Sequence, residues 1–591
     1  NDQMQPDRTG LTALFFNRLA IIDLDARSNQ PFEDQRYTLL FNGEIYNYRG
    51  LKQELQGYGD TFRTSSDTEV LFCALRRWGA AALPRLNGMF AFCWLDREKR
   101  SFLLGRDRVG IKPLYYRASG KSLAFGSELD SVLRLSGDLP AIDPAAVHAF
   151  LWTQFIPSPL TIVRDARKLP PGHYLEGDWT HLEAGRELSP KPYWDAYTQA
   201  ASATPVTGNP LELEDILVDT LKRQMMADVP LGLFLSSGVD SSLLTAMVNK
   251  HFAGTGDVNL FTVAFTETTV SDESMDAAAY VAGFNNPHLH CHNLLVDSQL
   301  IGDHLDKLYD CFDEPFGDQT ALLNWAISIK AKQHVTVALS GDGADELFWG
   351  YGRYAQWQQA SIQLPGNRYL GGPLARILQP LLPAGYWRSS AELRLETDPV
   401  KRHFNLFLSP VLTNLLDKPV WEQPIWAMQG IDKVRRREDL ATFLDIKTYL
   451  ADAMLHKVDR ASMAASLEVR VPYLDNKVID YALALPLSAK SDSTFRHKAI
   501  LKQLLQRLAP HYSIDRPKKG FNFPIDSWLR FQWRDKVMEL VNKENLNALG
   551  LDDKIYGTIV RNYYAGDKKN CIPVWYLLNL CLWYRKYQTL S

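Results

Sequence analysis

Cysteine is scarce in this chain and nowhere closely spaced. Six cysteines stand among 591 residues, at Cys73, Cys93, Cys291, Cys311, Cys571 and Cys581, with no C-x-x-C pair. That argues against a disulfide scaffold or a cysteine zinc site and fits a reducing, cytoplasmic setting. A charge bias is lacking too. The formal net charge is −3 with no dense basic stripe, which speaks against nucleic acid as a partner. No apolar run is long enough for a bilayer. The run at 572–583 is short and broken by Asn579, so it reads as a core helix, and no membrane partner is expected. From the opening residues no signal peptide is expected. Internal repeats and low-complexity tracts are absent. What remains is ordinary globular material, 46% hydrophobic and 23% charged, in a chain too long for one core.

The texture changes along the chain. Residues 1–195 are strand-rich, with runs at 37–41, 89–94, 101–104 and 122–125 and helical stretches at 48–55 and 68–78. Short, regularly punctuated strands predict packed antiparallel sheets. From residue 205 to 591 the pattern is strand–helix alternation and then long helices, which predicts a parallel sheet clothed in helices. The stretch 188–210, rich in Ser, Pro, Thr and Ala, reads as a linker.

The most informative segment is Leu231-Gly-Leu-Phe-Leu235-Ser236-Ser237-Gly238-Val239-Asp240-Ser241-Ser242. A buried strand at 231–235, a tight turn of small residues and a helix at 239–250 are expected. Such a turn aims backbone N–H groups at an anion. It has no Walker lysine. A second strand is expected at 261–265, including Val263. A third, at 335–339, feeds Ser340-Gly341-Asp342-Gly343-Ala344-Asp345-Glu346, again a glycine turn opening a helix. In open α/β sheets ligands sit beyond the carboxyl ends of strands. Asp240 and Asp345 both lie just past such ends, and two carboxylates with phosphate oxygens suit Mg²⁺. One acidic residue at a helix start reads equally as a cap. Two of them beside two glycine turns point to a site. Two further polar blocks follow, Lys457-Val-Asp459-Arg460 with Leu467-Glu468-Val-Arg470-Val-Pro472-Tyr-Leu-Asp475, and Arg516-Pro-Lys518-Lys519-Gly520-Phe521. Lysines in turns are commonly solvated.

In this order the four blocks resemble glutamine-dependent asparagine synthetases and their β-lactam-forming relatives. The first block resembles the S-G-G-x-D-S pyrophosphate loop of ATP pyrophosphatases, with Ser237 in place of the first glycine. The resemblance implies ATP and Mg²⁺ as cofactors. It places Ser236, Ser237, Gly238, Asp240, Ser241, Ser242, Ser340 and Gly341 around ATP and pyrophosphate, with Leu235 and Val263 flanking the adenine. Asp240 and Asp345 are implied as metal ligands, Asp342 and Asp345 as neighbours of the amino-acid substrate, and Lys518 as a stabiliser of the acyl-adenylate. The acidic turn Asp313-Glu314-Pro315 is expected to line the ATP site.

Near the start stand Asn17-Arg18, Phe41-Asn42-Gly43-Glu44 and Ser66-Asp67-Thr68-Glu69, followed by Gly105-Arg106-Asp107. Alone, Asn-Gly and Gly-Arg-Asp read as turns. Together they resemble the class II glutamine amidotransferase domain, an α/β/β/α sandwich. By that resemblance Arg18 and Asp67 clamp glutamine, Asn42 and Gly43 form an oxyanion hole, and Glu44 assists binding. The family's nucleophile is an amino-terminal cysteine. The sequence given starts at Asn1, and a protein beginning there is expected not to hydrolyse glutamine. His288, His290 and His292 alternate as on a strand face, open either to zinc or to ordinary surface use.

The expectation is therefore an α/β protein with an amidotransferase sandwich at 1–195 and a doubly wound ATP-pyrophosphatase domain at 205–591, helical towards its end. It would amidate aspartate, with glutamine as nitrogen donor in the complete protein, possess no nucleic-acid or membrane partner, and pair as a homodimer. Two alternatives stand: the same chemistry on another carboxylate (a uronate, a natural-product precursor or a cyclising substrate), and a non-catalytic regulatory scaffold.

Overall fold

The computed structural model describes residues 5–6, 13–252, 254, 256–265, 274–361, 396, 398–407, 409, 411–412, 415–416, 422, 425–434, 436–514 and 524–590. Apart from a short antiparallel pair, Gln5–Pro6 with Ala13–Leu14, the amino-terminal strands are β1 (Phe32–Glu33), β2 (Tyr37–Ile45), β3 (Gly88–Asp96), β4 (Ser101–Arg106), β5 (Tyr115–Ser119), β6 (Ser122–Gly126), β7 (Ala166–Lys168), β8 (His173–Asp178) and β9 (Lys191–Pro192). They form a six-stranded antiparallel sheet in the order β9-β8-β4-β3-β2-β1 and a three-stranded sheet in the order β6-β5-β7. Strand β3 shows why they stack. Its Phe90, Phe92 and Trp94 share a core with Leu71, Phe72 and Leu75 of the helical layer. Its alternate residues Ala91, Cys93 and Leu95 meet Leu114, Tyr116 and Leu169 on the opposite face. A strand covered on both sides must be apolar throughout, as this one is.

Helices α1 (Tyr48–Gly57) and α2 (Asp67–Trp78) cover the first sheet, and α3 (Leu129–Ser136) covers the second. Helix α2 starts where Ser66 accepts the Glu69 N–H at 3.3 Å, carries Asp67 and Glu69 in its first turn, and stops at Gly79 with φ +55°. The layers are thus helix, sheet, sheet, helix.

The second half holds β10 (Leu231–Phe234), β11 (Val258–Phe265), β12 (Leu289–Val296), β13 (Val337–Leu339) and β14 (Glu468–Arg470). All pair in parallel, in the order β12-β11-β10-β13-β14. The chain winds outward from β10 to β12 and returns at β13 on the other side. The crevice at such a reversal opens beyond the carboxyl ends of β10 and β13. Helix α4 (Val239–Phe252) follows β10, and α5 (Ala344–Leu347) follows β13. A π-helix, Ile446–Leu455, runs straight into α6 (His456–Met463). Helix α7 (Ala499–Leu508) packs on α4, and α8 (Cys571–Gln588) closes the chain. The run at 572–583 lies inside α8, whose Trp575, Leu577 and Leu578 share one core with Phe150, Leu151 and Trp152 of the amino-terminal half.

Two sequence expectations are corrected here. Asn42-Gly43 is not a turn: both residues lie inside β2, opposite Ala91 and Phe90. Gly43 is there because a Cβ would sit 1.9 Å from the Met89 carbonyl oxygen, at φ +144°. The stretch at 188–210 is not a bare linker. It contains β9 and the helix Ala196–Ser202, and it buries Trp194, Ala196 and Tyr197. Among the described residues no helix is long and apolar enough to cross a membrane.

Candidate active site

The turn after β10 folds on its own hydroxyls. The Ser236 N–H donates to Ser241 Oγ at 3.1 Å, and the Gly238 N–H to Ser236 Oγ at 3.2 Å. The Tyr512 hydroxyl donates to the Ser237 carbonyl at 2.7 Å, and the Leu235 N–H donates to the Phe261 carbonyl at 2.8 Å. Ser242 is buried under the turn, and Val263 sits two residues beyond Phe261 on β11. After β13, Ser340 Oγ and the Asp342 carboxylate are hydrogen-bonded, and Gly343 opens α5 with φ +86°. The two turns touch. A Cβ on Gly341 would lie 2.9 Å from Asp240 Cβ and 3.2 Å from the Ser241 nitrogen. The Asp240 carbonyl accepts from the Tyr473 hydroxyl at 2.9 Å.

Between the turns stands a lysine that sequence reasoning did not single out. Lys498 Nζ lies 2.5 Å from Asp240 Oδ2 and 2.8 Å from Asp345 Oδ1, at the residue preceding α7. Burial alone would lower its pKa, but the two carboxylates outweigh burial and raise it. Gly350 makes room for the trio: a Cβ there would be 1.9 Å from Asp345 Oδ1 and 2.2 Å from Lys498 Cε. The neighbouring Glu346 takes another course. It is buried, accepts from the Tyr351 hydroxyl at 2.8 Å, and is pushed up to about 8 by burial and then by Asp345. Lys518 lies outside the described residues. Asp313 and Glu314 are used elsewhere than expected. Asp313 accepts the Leu129 N–H at 2.8 Å, and Glu314 pairs with Lys168 at 2.9 Å, so both tie the halves together.

The second centre sits on β2 and at the start of α2. Asp67 accepts the Ile45 N–H at 2.8 Å, and burial pushes its carboxyl up to about 6. Asn42 donates to Ser127 Oγ at 3.1 Å. Arg18 is anchored by the carbonyls of Asp23 at 2.6 Å and Ile22 at 3.0 Å, with Asp67 and Glu44 close enough to act on its charge. It borders an open cavity of about 140 Å³ shared with Phe16, Asn17 and Asn29. Gly105 and Arg106 belong to β4. Arg106 and Asp107 are structural: Asp107 gathers the N–H groups of Gly110 at 2.7 Å and Ile111 at 2.9 Å.

The two centres are joined by buried charge. Lys112 donates to Asp459 at 2.7 Å, and Arg470 Nη2 lies 3.2 Å from Glu44 Oε1. His288 and His290 both lean on Asp257, at 2.9 and 3.2 Å, while His292 stacks on Phe261. Among the described residues no group of three or more His, Cys, Asp or Glu is arranged to hold a metal.

Comparison with known proteins finds two family matches along the chain. Residues 212–585 match the asparagine synthase family, and residues 4–194 match the glutamine amidotransferase domain. Asparagine synthetase (glutamine-hydrolyzing) 1 of Bacillus subtilis (strain 168) is 30% identical over 96% of this chain and 89% of its own length. A putative asparagine synthetase (glutamine-hydrolyzing) of Mycobacterium bovis (strain ATCC BAA-935 / AF2122/97) is 31% identical over 96% of this chain and 88% of its own length.

Proposed function

Because this chain belongs to the asparagine synthase family and is a glutamine-dependent carbon–nitrogen ligase, we propose that it converts aspartate to asparagine through an acyl-AMP intermediate. Residues 205–591 carry the adenylation and residues 1–195 the nitrogen donor. The observation that supports this most is the meeting of Asp240, Asp345 and Lys498 where the two glycine turns touch.

A carboxylate is a poor electrophile because oxide would have to leave. An oxygen of the aspartate side-chain carboxylate attacks the α-phosphorus of ATP. The bond from that phosphorus to the bridging oxygen breaks, and pyrophosphate departs with the electron pair. Its charge is met by the turn at Ser236, Ser237, Gly238 and Ser241, which exchanges its internal hydrogen bonds for bonds to the anion, by the Ser340 turn and by the Lys498 ammonium. Ammonia then attacks the acyl carbon, AMP leaves, and the nitrogen loses a proton. Asp342 faces the amino-acid substrate, and Leu235 and Val263 border the adenine. Asp240 and Asp345 offer two hard oxygen donors, which suits magnesium, an ion usually held by one or two carboxylates together with phosphate oxygens and water. When bound there, such an ion neutralises pyrophosphate charge.

In the donor half Arg18 takes the glutamine carboxylate and Asp67 its ammonium. Asn42 and Gly43 polarise the amide carbonyl, and Glu44 completes the pocket. Pyrophosphate release with ammonia and a panel of carboxylic acids tests the acceptor. Stimulation by aspartate above all others is expected; stimulation by another acid and not by aspartate would replace aspartate as the substrate.

A further inference from the structure

The Arg470 side chain touches Glu44 of the donor pocket while its own backbone holds the adenylation turn. It ends β14, is fully buried, and its carbonyl accepts the Ser340 N–H at 2.9 Å. Its guanidinium is fixed on three sides by its own half. Nε donates to Glu468 at 2.8 Å, and Nη1 donates to the carbonyls of Gln224 at 2.8 Å and Met226 at 2.7 Å. The remaining nitrogen, Nη2, points at Glu44 of β2.

That last contact is under-made. Nη2 is 3.2 Å from Glu44 Oε1, yet the alignment falls short of a hydrogen bond. The Tyr46 ring lies 5.7 Å from the guanidinium, and its buried hydroxyl has no hydrogen-bond partner among the described residues. Glu44 is also crowded by Asp67 and Glu468, with Arg470 and Lys112 opposing them. Three carboxylates and two cations are therefore packed in one dry region that spans both halves. A cationic ligand group arriving beside Asp67 and Glu44 changes the balance in which Arg470 is held. Any resulting shift of Arg470 is passed to Ser340 through one backbone hydrogen bond.

We propose that Arg470 is a positioning residue that couples occupancy of the glutamine pocket to the Ser340–Asp342 turn, by way of its ion pair with Glu44. The proposal rests on the reading that Glu44 and Asp67 face bound glutamine. Coupling of this kind is reciprocal: a ligand on the adenylation side must change glutamine affinity by the same factor as the reverse.

The test is titration calorimetry of glutamine into the full chain, alone and with a non-hydrolysable ATP analogue plus aspartate. In the unaltered protein the second condition is expected to tighten glutamine by about fivefold or more. In Arg470→Lys, which keeps a charge but loses the fork, the factor is expected to shrink below about twofold, while circular dichroism and the affinity for the ATP analogue alone stay as they were. Arg470→Met is expected to abolish the factor. In a double-mutant cycle, Arg470→Lys and Glu44→Gln are expected to be non-additive in glutamine affinity. An unchanged factor in Arg470→Lys, or additivity with Glu44→Gln, overturns the coupling alone. Failure of Glu44→Gln and Asp67→Asn to weaken glutamine overturns the pocket reading beneath it, and the coupling with it.

Discussion

Replacing Lys498 by Met keeps the side-chain volume and removes the cation between Asp240 and Asp345. The two contacts, 2.5 and 2.8 Å, are made by an ammonium on a side chain that is only 8% exposed. At an effective dielectric constant of about 20, each attraction is about 6 kcal/mol. Desolvation of three charges offsets most of that, and removing one partner of a buried pair costs about 3–5 kcal/mol. Two facing carboxylates would remain, and one of them would take up a proton. Ammonia-dependent pyrophosphate release is therefore expected to lose about 10²–10³ in kcat, the usual loss when one fixed donor to developing charge is removed. Gly350→Ala should do the same by steric means, since its Cβ would fall 2.2 Å from Lys498 Cε. The sign of the pH effect follows from the raised lysine pKa. Protonation favours the folded state, so the contribution is complete below the ordinary lysine value of about 10.5 and is lost only as pH rises through the folded value. The unaltered protein should show no loss from this group near neutrality. A Lys498→Met enzyme with kcat within about threefold of the parent and an unchanged urea midpoint would refute this account of the site.

Lys112→Met should leave Asp459 buried without its 2.7 Å partner and cost about 3–5 kcal/mol, read from the urea midpoint of the transition that separates the halves. Gly43→Ala should be worse than most single substitutions, at about 3 kcal/mol or more, because its Cβ meets backbone rather than a movable side chain; low soluble yield and lost glutamine binding would show it. Asp67 is raised to about 6, chiefly by burial. The folded state holds that proton longer than the unfolded chain, so stability from this group falls as pH rises from the ordinary carboxylate value through about 6. In the proposed role, with Asp67 taking the glutamine ammonium, binding needs the ionised form, so affinity should rise up to about tenfold per pH unit below that value and level off above it. A flat profile in the parent, or the same profile in Asp67→Asn, would remove Asp67 from that role.

Much of the architecture was legible without coordinates. The strand at 231–235, its serine turn and the following helix carry a local pattern that folds as it reads, and so do the strand and turn ending in Ser340-Gly341-Asp342. The apolar run at 89–94 read as a strand of packed antiparallel sheets, and the structure adds that it is covered on both faces. The errors have a common source. Asn-Gly is a turn dipeptide by propensity, yet Gly43 sits in mid-strand because the Met89 carbonyl leaves no space for a Cβ. The Asp313-Glu314 turn is expected at the ATP site by resemblance, yet its carboxylates are held by Arg460, Leu129 and Lys168.

The sequence by itself determined the two kinds of sheet, the serine- and glycine-rich turns and the family, since each depends on residues close together in the chain. Tertiary structure alone decided which charges meet. Lys498 reaches Asp240 across 258 residues, and Lys112 reaches Asp459 across 347. A lysine before a helix or an arginine ending a strand looks solvated in one dimension. Only packing removes the water, and burial then forces each cation onto whichever carboxylate the fold has brought beside it.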